Sequence, residues 1–355
     1  MKKVILSIFA MSLFIVSCSE DNDDNISTEP LGAYEDGIIV SGEGSFSSPS
    51  SISFISEDLM SSENEIYFNV NNEATDVYLQ SIGFDEDKAY IVADAGTITV
   101  VNRYTFEKLA TISTGLTTPR YIAFEDNTAY VSDWGDPFDA TDDYVAVIDL
   151  TSNTVISTIS VSEGPEQVLE ASDKLYVSHK GGYGLNNVIS VINIADNTVE
   201  TITVNDVPDE MFIDESGDLL VLSSGADQSW LTPPVETEAA ITRIDLSDNS
   251  IISNLEFPTG EHPSLMAYED GTAYYILNNE VYGLTDNATS LPISSLFGIT
   301  TANAYGLSVD DNQLFVTDAN ASFSGNSTLL VYDLVSGTEM NTFSVGVLAS
   351  KIYFN

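Results

Sequence analysis

The chain carries a single cysteine, Cys18, in 355 residues. An intramolecular disulfide is therefore excluded, and beyond position 18 no thiol remains to act as nucleophile or metal ligand. Positive charge is nearly as scarce, with 10 Lys and Arg against 55 Asp and Glu and a formal net charge of −45. Phosphate recognition needs bases in numbers, so this balance excludes nucleic acid as a partner and makes anionic surfaces repel the chain. The two histidines, His179 and His262, fall in separate stretches and form a metal pair only with help from carboxylates. Nothing holds a 3.6-residue apolar period for three turns, which excludes a helical solenoid and predicts helix content near nil. Long apolar runs are missing too. The one run, Val4 to Val16, follows Lys2 and Lys3 and is 13 residues long, short of the roughly 20 that span a bilayer as a helix.

What the chain does have is a repeat. An acidic turn followed by a short apolar and aromatic strand recurs as FDEDKAYIV, FEDNTAYVS, EASDKLYVS, DESGDLLVL, YEDGTAYYI and VDDNQLFVT. The aligned positions are Tyr90, Tyr130, Tyr176, Leu220, Tyr274 and Phe315, at intervals of 40, 46, 44, 54 and 41 residues. Such a period, with Val, Ile, Thr and Tyr dominating, reads as propeller blades. The third blade spells out four strands: Tyr121 to Phe124, TAYVS, YVAVIDL and TVISTISV, with turns at Glu125-Asp126-Asn127 and Thr151-Ser152-Asn153. Asp, Asn and Gly at the first turns tolerate the positive φ that tight hairpins demand.

Six hairpin units make six blades, and the chain ends supply another. GIIVSGEG, Gly37 to Gly44, reads as a second strand with no first strand before it, and SSISFIS and EIYFNV read as the third and fourth. At the other end ASKIYFN, Ala349 to Asn355, is left over. The expected fold is therefore all-β: one seven-bladed propeller of four-stranded antiparallel blades over residues 37–355, closed when segment 349–355 joins blade one as its innermost strand.

The N-terminus reads as a processing signal. Ile15-Val16-Ser17-Cys18 resembles a bacterial lipoprotein signal, with residues 1–17 removed and Cys18 lipidated; an ordinary secretory peptide with an incidental cysteine is the alternative. Once Lys2 and Lys3 leave, 8 bases face 55 acids, a balance of −47. Residues 18–36 read as a lipidated, acidic, flexible tether. Its Ser19-Glu20-Asp21-Asn22-Asp23-Asp24 cluster resembles the surface-export signal of Bacteroidota lipoproteins, and a plain solvated tether is the alternative.

In a propeller, the loops from second to third strand and from fourth strand to the next blade open on one face. Both tryptophans, both histidines, Arg120 and Lys180 fall in that set. The expected ligand-binding face comprises Arg120, Asp133, Trp134, Gln167, His179, Lys180, Tyr183, Trp230, His262 and Tyr305. Two bases beside Trp and Tyr point to a partly anionic, partly flat ligand. Pairing of Arg120 with Asp133 or Glu166, and Trp134 as a plug between blades, are the structural alternatives. The intervals of 46 and 54 residues mark extra loop length after Val131 and Val177 and around Trp230. The acidic loop Asp133, Asp136, Asp139, Asp142 and Asp143 is a weak Ca2+ candidate that lacks the spacing of an EF-hand loop. No catalytic constellation stands out, and no cofactor is required.

The unit with a leading Pro, a hairpin ending in Tyr-Val-Ser, a third strand such as YVAVIDL or NVISVINI, and TSNT before VISTISV resembles the YVTN-type, YncE-like propeller repeat, which is specific to fold rather than function. Such propellers are also similar to the large subunit of quinoprotein amine dehydrogenases. A lipidated, acid-tethered propeller opening with GIIVSGEGSFSSPSSISFI resembles the Bacteroidota surface lipoproteins that accompany TonB-dependent transporters, including the cobalamin-capturing group. That resemblance implies an outer-membrane lipoprotein at the cell surface, monomeric, binding a corrinoid on one face and handing it to a TonB-dependent transporter. A protein-interaction or adhesion scaffold and a metal-dependent propeller hydrolase or lactonase remain the alternatives.

Overall fold

The computed structural model describes residues 30–355, so the expected signal segment, Cys18 and most of the tether lie outside the described residues. Seven four-stranded antiparallel sheets follow one another as blades, with one additional two-stranded ribbon, Asp227–Gln228 with Val235–Glu236. Each blade is a meander whose innermost strand lies against those of its neighbours around a central axis. First-to-second and third-to-fourth turns therefore open on one side, termed the hairpin face. The remaining connections open on the other, the loop face.

Alternation along the strands explains why the repeat makes a ring. In the second strand of blade two, Lys88–Ala93, Ala89, Ile91 and Ala93 pack toward blade one while Tyr90 and Val92 pack toward blade three. A sheet buried on both faces reads as nearly continuous apolar sequence, as these strands do. The aligned ring or leucine of every unit faces the following blade: Tyr130 toward blade four, Tyr176 toward five, Leu220 toward six, Tyr274 toward seven and Phe315 toward one. Seven apolar clusters result, one at each junction between blades. Each buried Leu, Ile or Phe contributes about 1.5–3 kcal/mol of transfer free energy to that stack.

The hairpins are the tight ones expected. Two residues link Pro119–Glu125 to Thr128–Asp133, and Asp126 sits at φ 48°. At Ser172-Asp173 and Asp311-Asn312 both residues take positive φ. The acid or amide ending most third strands also has a defined task, because its side chain caps the next turn. Asp149 accepts the Thr151 N–H at 3.0 Å, Asn193 that of Ala195 at 2.9 Å, and Asp245 that of Ser247 at 2.8 Å.

Closure of the ring is as expected. Ala349–Phe354 pairs antiparallel with Gly37–Gly42 as the innermost strand of blade one. The Tyr353 hydroxyl then accepts the Ile82 N–H of blade two at 2.7 Å, and Asn355 Oδ1 accepts from Arg103 Nε at 2.8 Å.

The structure corrects three details. EIYFNV does not form the fourth strand of blade one: Ile66–Asn71 is a short helix, and the fourth strand is Ser62–Glu63, paired with Phe54 and Ile55. Consecutive Ile66 and Tyr67 are both buried, which a half-exposed outer strand cannot achieve, and Glu65 at φ 58° turns the chain out of the sheet. In blade six the third-to-fourth connection is not the short turn that blade three spells out: residues 286–296 separate Glu280–Thr285 from the fourth strand, Phe297–Gly298. Ordered packing also starts before residue 37, since the Tyr34 ring is buried edge-on against Phe54 and Phe106.

Candidate functional site

The innermost strands start at the loop face, and most start with a register shift. It lies between Leu79 and Ser81, Pro119 and Ile122, Pro165 and Val168, Pro208 and Met211, and Ala304 and Gly306. A bulge leaves residues unpaired and re-aims their side chains. Here the residues so released include Arg120, Tyr121, Glu166, Gln167, Asp209, Glu210 and Tyr305, at the mouth of the axial channel. Proline suits the position before the bulge because no ladder bond is lost where its N–H is missing.

The serine of Tyr-Val-Ser stitches this rim together. Ser132 Oγ accepts the Tyr121 N–H at 3.1 Å in its own blade and donates to the Glu166 carbonyl of the next at 2.5 Å. Ser178 repeats this with Gln167 and Asp209, both at 3.1 Å, and Thr317 donates to the Ala349 carbonyl at 2.5 Å. Ser132 and Ser178 each satisfy a bulge amide, and all three hydroxyls tie one blade to the following one.

Across the mouth runs a chain of ion pairs. Arg120 meets Glu166 at 2.8 Å and Asp94 at 3.8 Å. Lys180 meets Asp209 at 3.1 Å and Glu166 at 3.4 Å. Lys351, on the closing strand, reaches from blade one to Glu210 in blade five at 2.9 Å, so this pair crosses the axis. Gln167 Nε2 donates to Glu210 at 2.5 Å, and its Oε1 accepts the Met211 N–H at 3.0 Å. Burial works against charge on Arg120 and Lys180, yet Glu166 beside the first and Asp209 with Glu166 beside the second leave both pKa values raised. Burial also pushes Asp209 up, but Lys180 and Lys351 outweigh it and lower its pKa. Glu43 has no such base. Burial raises its pKa despite the neighbouring Ser350 hydroxyl and the proximity of Arg120, and it accepts the Tyr305 hydroxyl at 3.3 Å.

Of the expected site residues, Arg120, Gln167, Lys180 and Tyr305 come together at this mouth. Trp134 borders it, with its ring 4.1 Å from the Arg120 guanidinium carbon and its indole N–H donating to the Pro165 carbonyl at 2.8 Å. It is thus mostly a plug between blades three and four. Tyr183 extends this edge into solvent, stacked on Phe138 at 5.5 Å and edge-on to Trp134 at 5.9 Å. His179 is fully buried. Its Nδ1 donates to the Glu163 carbonyl at 3.3 Å, and burial drives its pKa down to about 4, so it is neutral. Trp230 belongs to the blade-five insertion instead, and His262, in the connection from blade five to blade six, packs against that insertion. Trp230 is 74% exposed; His262 donates through Nδ1 to the Ser224 carbonyl at 2.7 Å and lies 3.0 Å from Glu236. Burial opposes charge on His262, but Ser224 and Glu236 raise its pKa.

The acidic loop of blade three turns inward on backbone N–H groups, its own and those of the connections on either side of the blade. Buried Asp133 accepts the N–H groups of Thr117, Thr118 and Gly135 at 2.8–2.9 Å. Asp143 accepts that of Gly164 at 2.9 Å, and burial pushes its pKa up to about 6. Asp136, Asp139 and Asp142 accept the N–H groups of Phe138, Thr141 and Asp136. These are turn bonds, not ligands aimed at one point. Among the described residues no group of three His, Cys, Asp or Glu could hold a metal ion, which leaves the Ca2+ candidate without a geometric basis.

Sequence reading missed Lys351 and Glu210. The signal was available: Lys351 is the one base in the closing segment, and that segment fills the innermost register of blade one. Below the mouth the innermost strands enclose a cavity of 380 Å3, with Tyr121, Gln167, Glu210 and Lys351 toward the loop face and Ile213, Tyr268 and Val309 toward the hairpin face.

No protein-family model and no curated protein matches the sequence. Solved structures of similar shape include the computationally designed Ika8 protein, at 12% identity and TM-score 0.57 over 92% of this chain and 98% of that one. Another is the dihydro-heme d1 dehydrogenase NirN, at 12% identity and TM-score 0.58 over 91% of this chain and 76% of that one. At such identity the likeness is one of fold alone.

Proposed function

We propose that the loop face captures a small ligand at the axial mouth, with a corrinoid as the leading ligand. In this reading the chain is a monomeric lipoprotein, anchored through Cys18 in the outer membrane and exposed at the cell surface, and it passes the ligand to a TonB-dependent transporter. One observation carries the capture step. The exposed rings Phe46, Phe138, Tyr183, Trp230 and Phe323 all lie on second-to-third strand loops, around a mouth lined with amide and carboxylate acceptors. Solvent-exposed rings gathered on one face mark a binding surface. A corrinoid offers a flat ring edged with amides, which suits rings and acceptors together.

Calorimetric titration of the full-length chain with cyanocobalamin tests this. A single saturable site is expected, weakened at least about tenfold when Phe138 and Tyr183 are both changed to Ala, a loss of about 1.4 kcal/mol. An absence of heat would overturn the corrinoid assignment. The spread of rings over five blades also favours the second reading, a protein-interaction scaffold, because a small ligand cannot touch them all.

A further inference from the structure

Every base at the mouth is already engaged. Arg120, Lys180 and Lys351 each lie within 3.1 Å of a carboxylate, and two of them also lie against a ring, Arg120 at 4.1 Å from Trp134 and Lys351 at 5.3 Å from Tyr121. No other Lys or Arg occurs in the loops that carry the exposed rings. Carboxylates, in contrast, are left over. Glu43 has a tyrosine hydroxyl for a partner and no base at ion-pair distance; Asp94 is 37% exposed with its only base 3.8 Å away; the buried Oδ1 of Asp209 accepts no hydrogen bond. An arriving anion would meet fully engaged bases and acids that are only partly paired or, at Glu43, without an ion-pair partner, in a partly desolvated setting where charge mismatch is costly.

We propose, building on the capture reading above, that the mouth selects a flat or apolar ligand carrying a positively charged group, which pairs with Glu43, and that it rejects anionic ligands. The cation gains both a carboxylate and the faces of neighbouring rings. This reverses the partly anionic ligand expected from the sequence.

Three probes with one ring system separate the charge states: pyrenemethylammonium, pyrenemethanol and pyrenecarboxylate, titrated into the full-length chain by fluorescence anisotropy. The ammonium probe should bind at least about tenfold tighter than the alcohol, and the carboxylate at least about tenfold weaker than the alcohol. Glu43→Gln should remove most of the ammonium preference. Changing the hairpin-face acids Asp149 and Asp196 to Asn should leave it intact, which separates a local site from attraction by the overall charge. If Glu43→Gln fails to fold, Asp94→Asn serves in its place and should lower the preference in the same direction. Equal binding of all three probes, tightest binding of the carboxylate, no binding at all, or an ammonium preference insensitive to both variants would each overturn the proposal. The charge order stands apart from ligand identity: cyanocobalamin failing to bind while the order holds rejects the corrinoid alone, and cyanocobalamin binding with the order reversed rejects the charge selection alone.

Discussion

The two faces of this ring are both rich in carboxylates and use them in opposite ways. On the hairpin face Asp149, Asp196, Asp245 and Asp333 are solvated turn caps, and hydrogen bonds from Ser or Thr side chains lower the pKa of each. At the mouth Glu166, Asp209 and Glu210 are drawn into a chain of ion pairs that ends in a trans-axial contact from the closing strand. The first set follows the repeat and could be lost one blade at a time. The second set exists because seven blades bring their irregular starts to one axis, so no single blade contains it. Repetition supplies the ring, and departures from it supply the site.

The contrast sets an order of expected effects. Arg120→Met should be the most damaging single change, costing about 3–5 kcal/mol in guanidinium unfolding, because it removes the nearest partner of the buried Glu166 carboxylate and leaves it only Lys180 at 3.4 Å. Adding Glu166→Gln should recover much of that loss; a single variant within about 1 kcal/mol of the native chain would place the mouth charges in the same class as the hairpin ones.

His179 comes next. Its folded pKa, about 4, lies below the ordinary 6.5, so the unfolded chain takes up the proton first as pH falls. Stability is full above the ordinary value and is lost between there and the folded pKa, by roughly 3 kcal/mol in all. The difference in unfolding midpoint between the native chain and His179→Gln should therefore change over that window and be flat above it.

Ser178→Ala, which removes one stitch between blades, should cost about 1–2 kcal/mol at any pH from 5 to 8. Asp196→Asn should give the smallest change of the four, detectable at neutral pH and gone once acid protonates the native carboxyl. A hairpin variant more damaging than Ser178→Ala would erase the distinction between the faces.

Much of the ring was legible because one requirement, burying both faces of every blade, repeats in the sequence as alternation, turn residues and an aligned aromatic. Closure was legible as a strand surplus at Ala349–Asn355. The helix at Ile66–Asn71 was not, because IYFNV has the composition of a strand and only the packing of adjacent Ile66 and Tyr67 against blades one and two decides it. The site was half legible. Arg120, Lys180 and Trp134 stood out by rarity, but their partners came from blades two, four and five, and the trans-axial reach of Lys351 depends on a ring that no local pattern describes. His179 and Asp133 shared the same loops yet are buried supports of the backbone, a distinction made by side-chain direction alone.

The most direct test is amide hydrogen exchange of the full-length chain with and without saturating cyanocobalamin. The account predicts protection at the starts of the innermost strands around Arg120 and Glu166 and in the loops carrying Phe138 and Tyr183, with the hairpins at Asp126-Asn127 and Ser172-Asp173 unchanged. Protection confined to the hairpin face, or none anywhere, would contradict it.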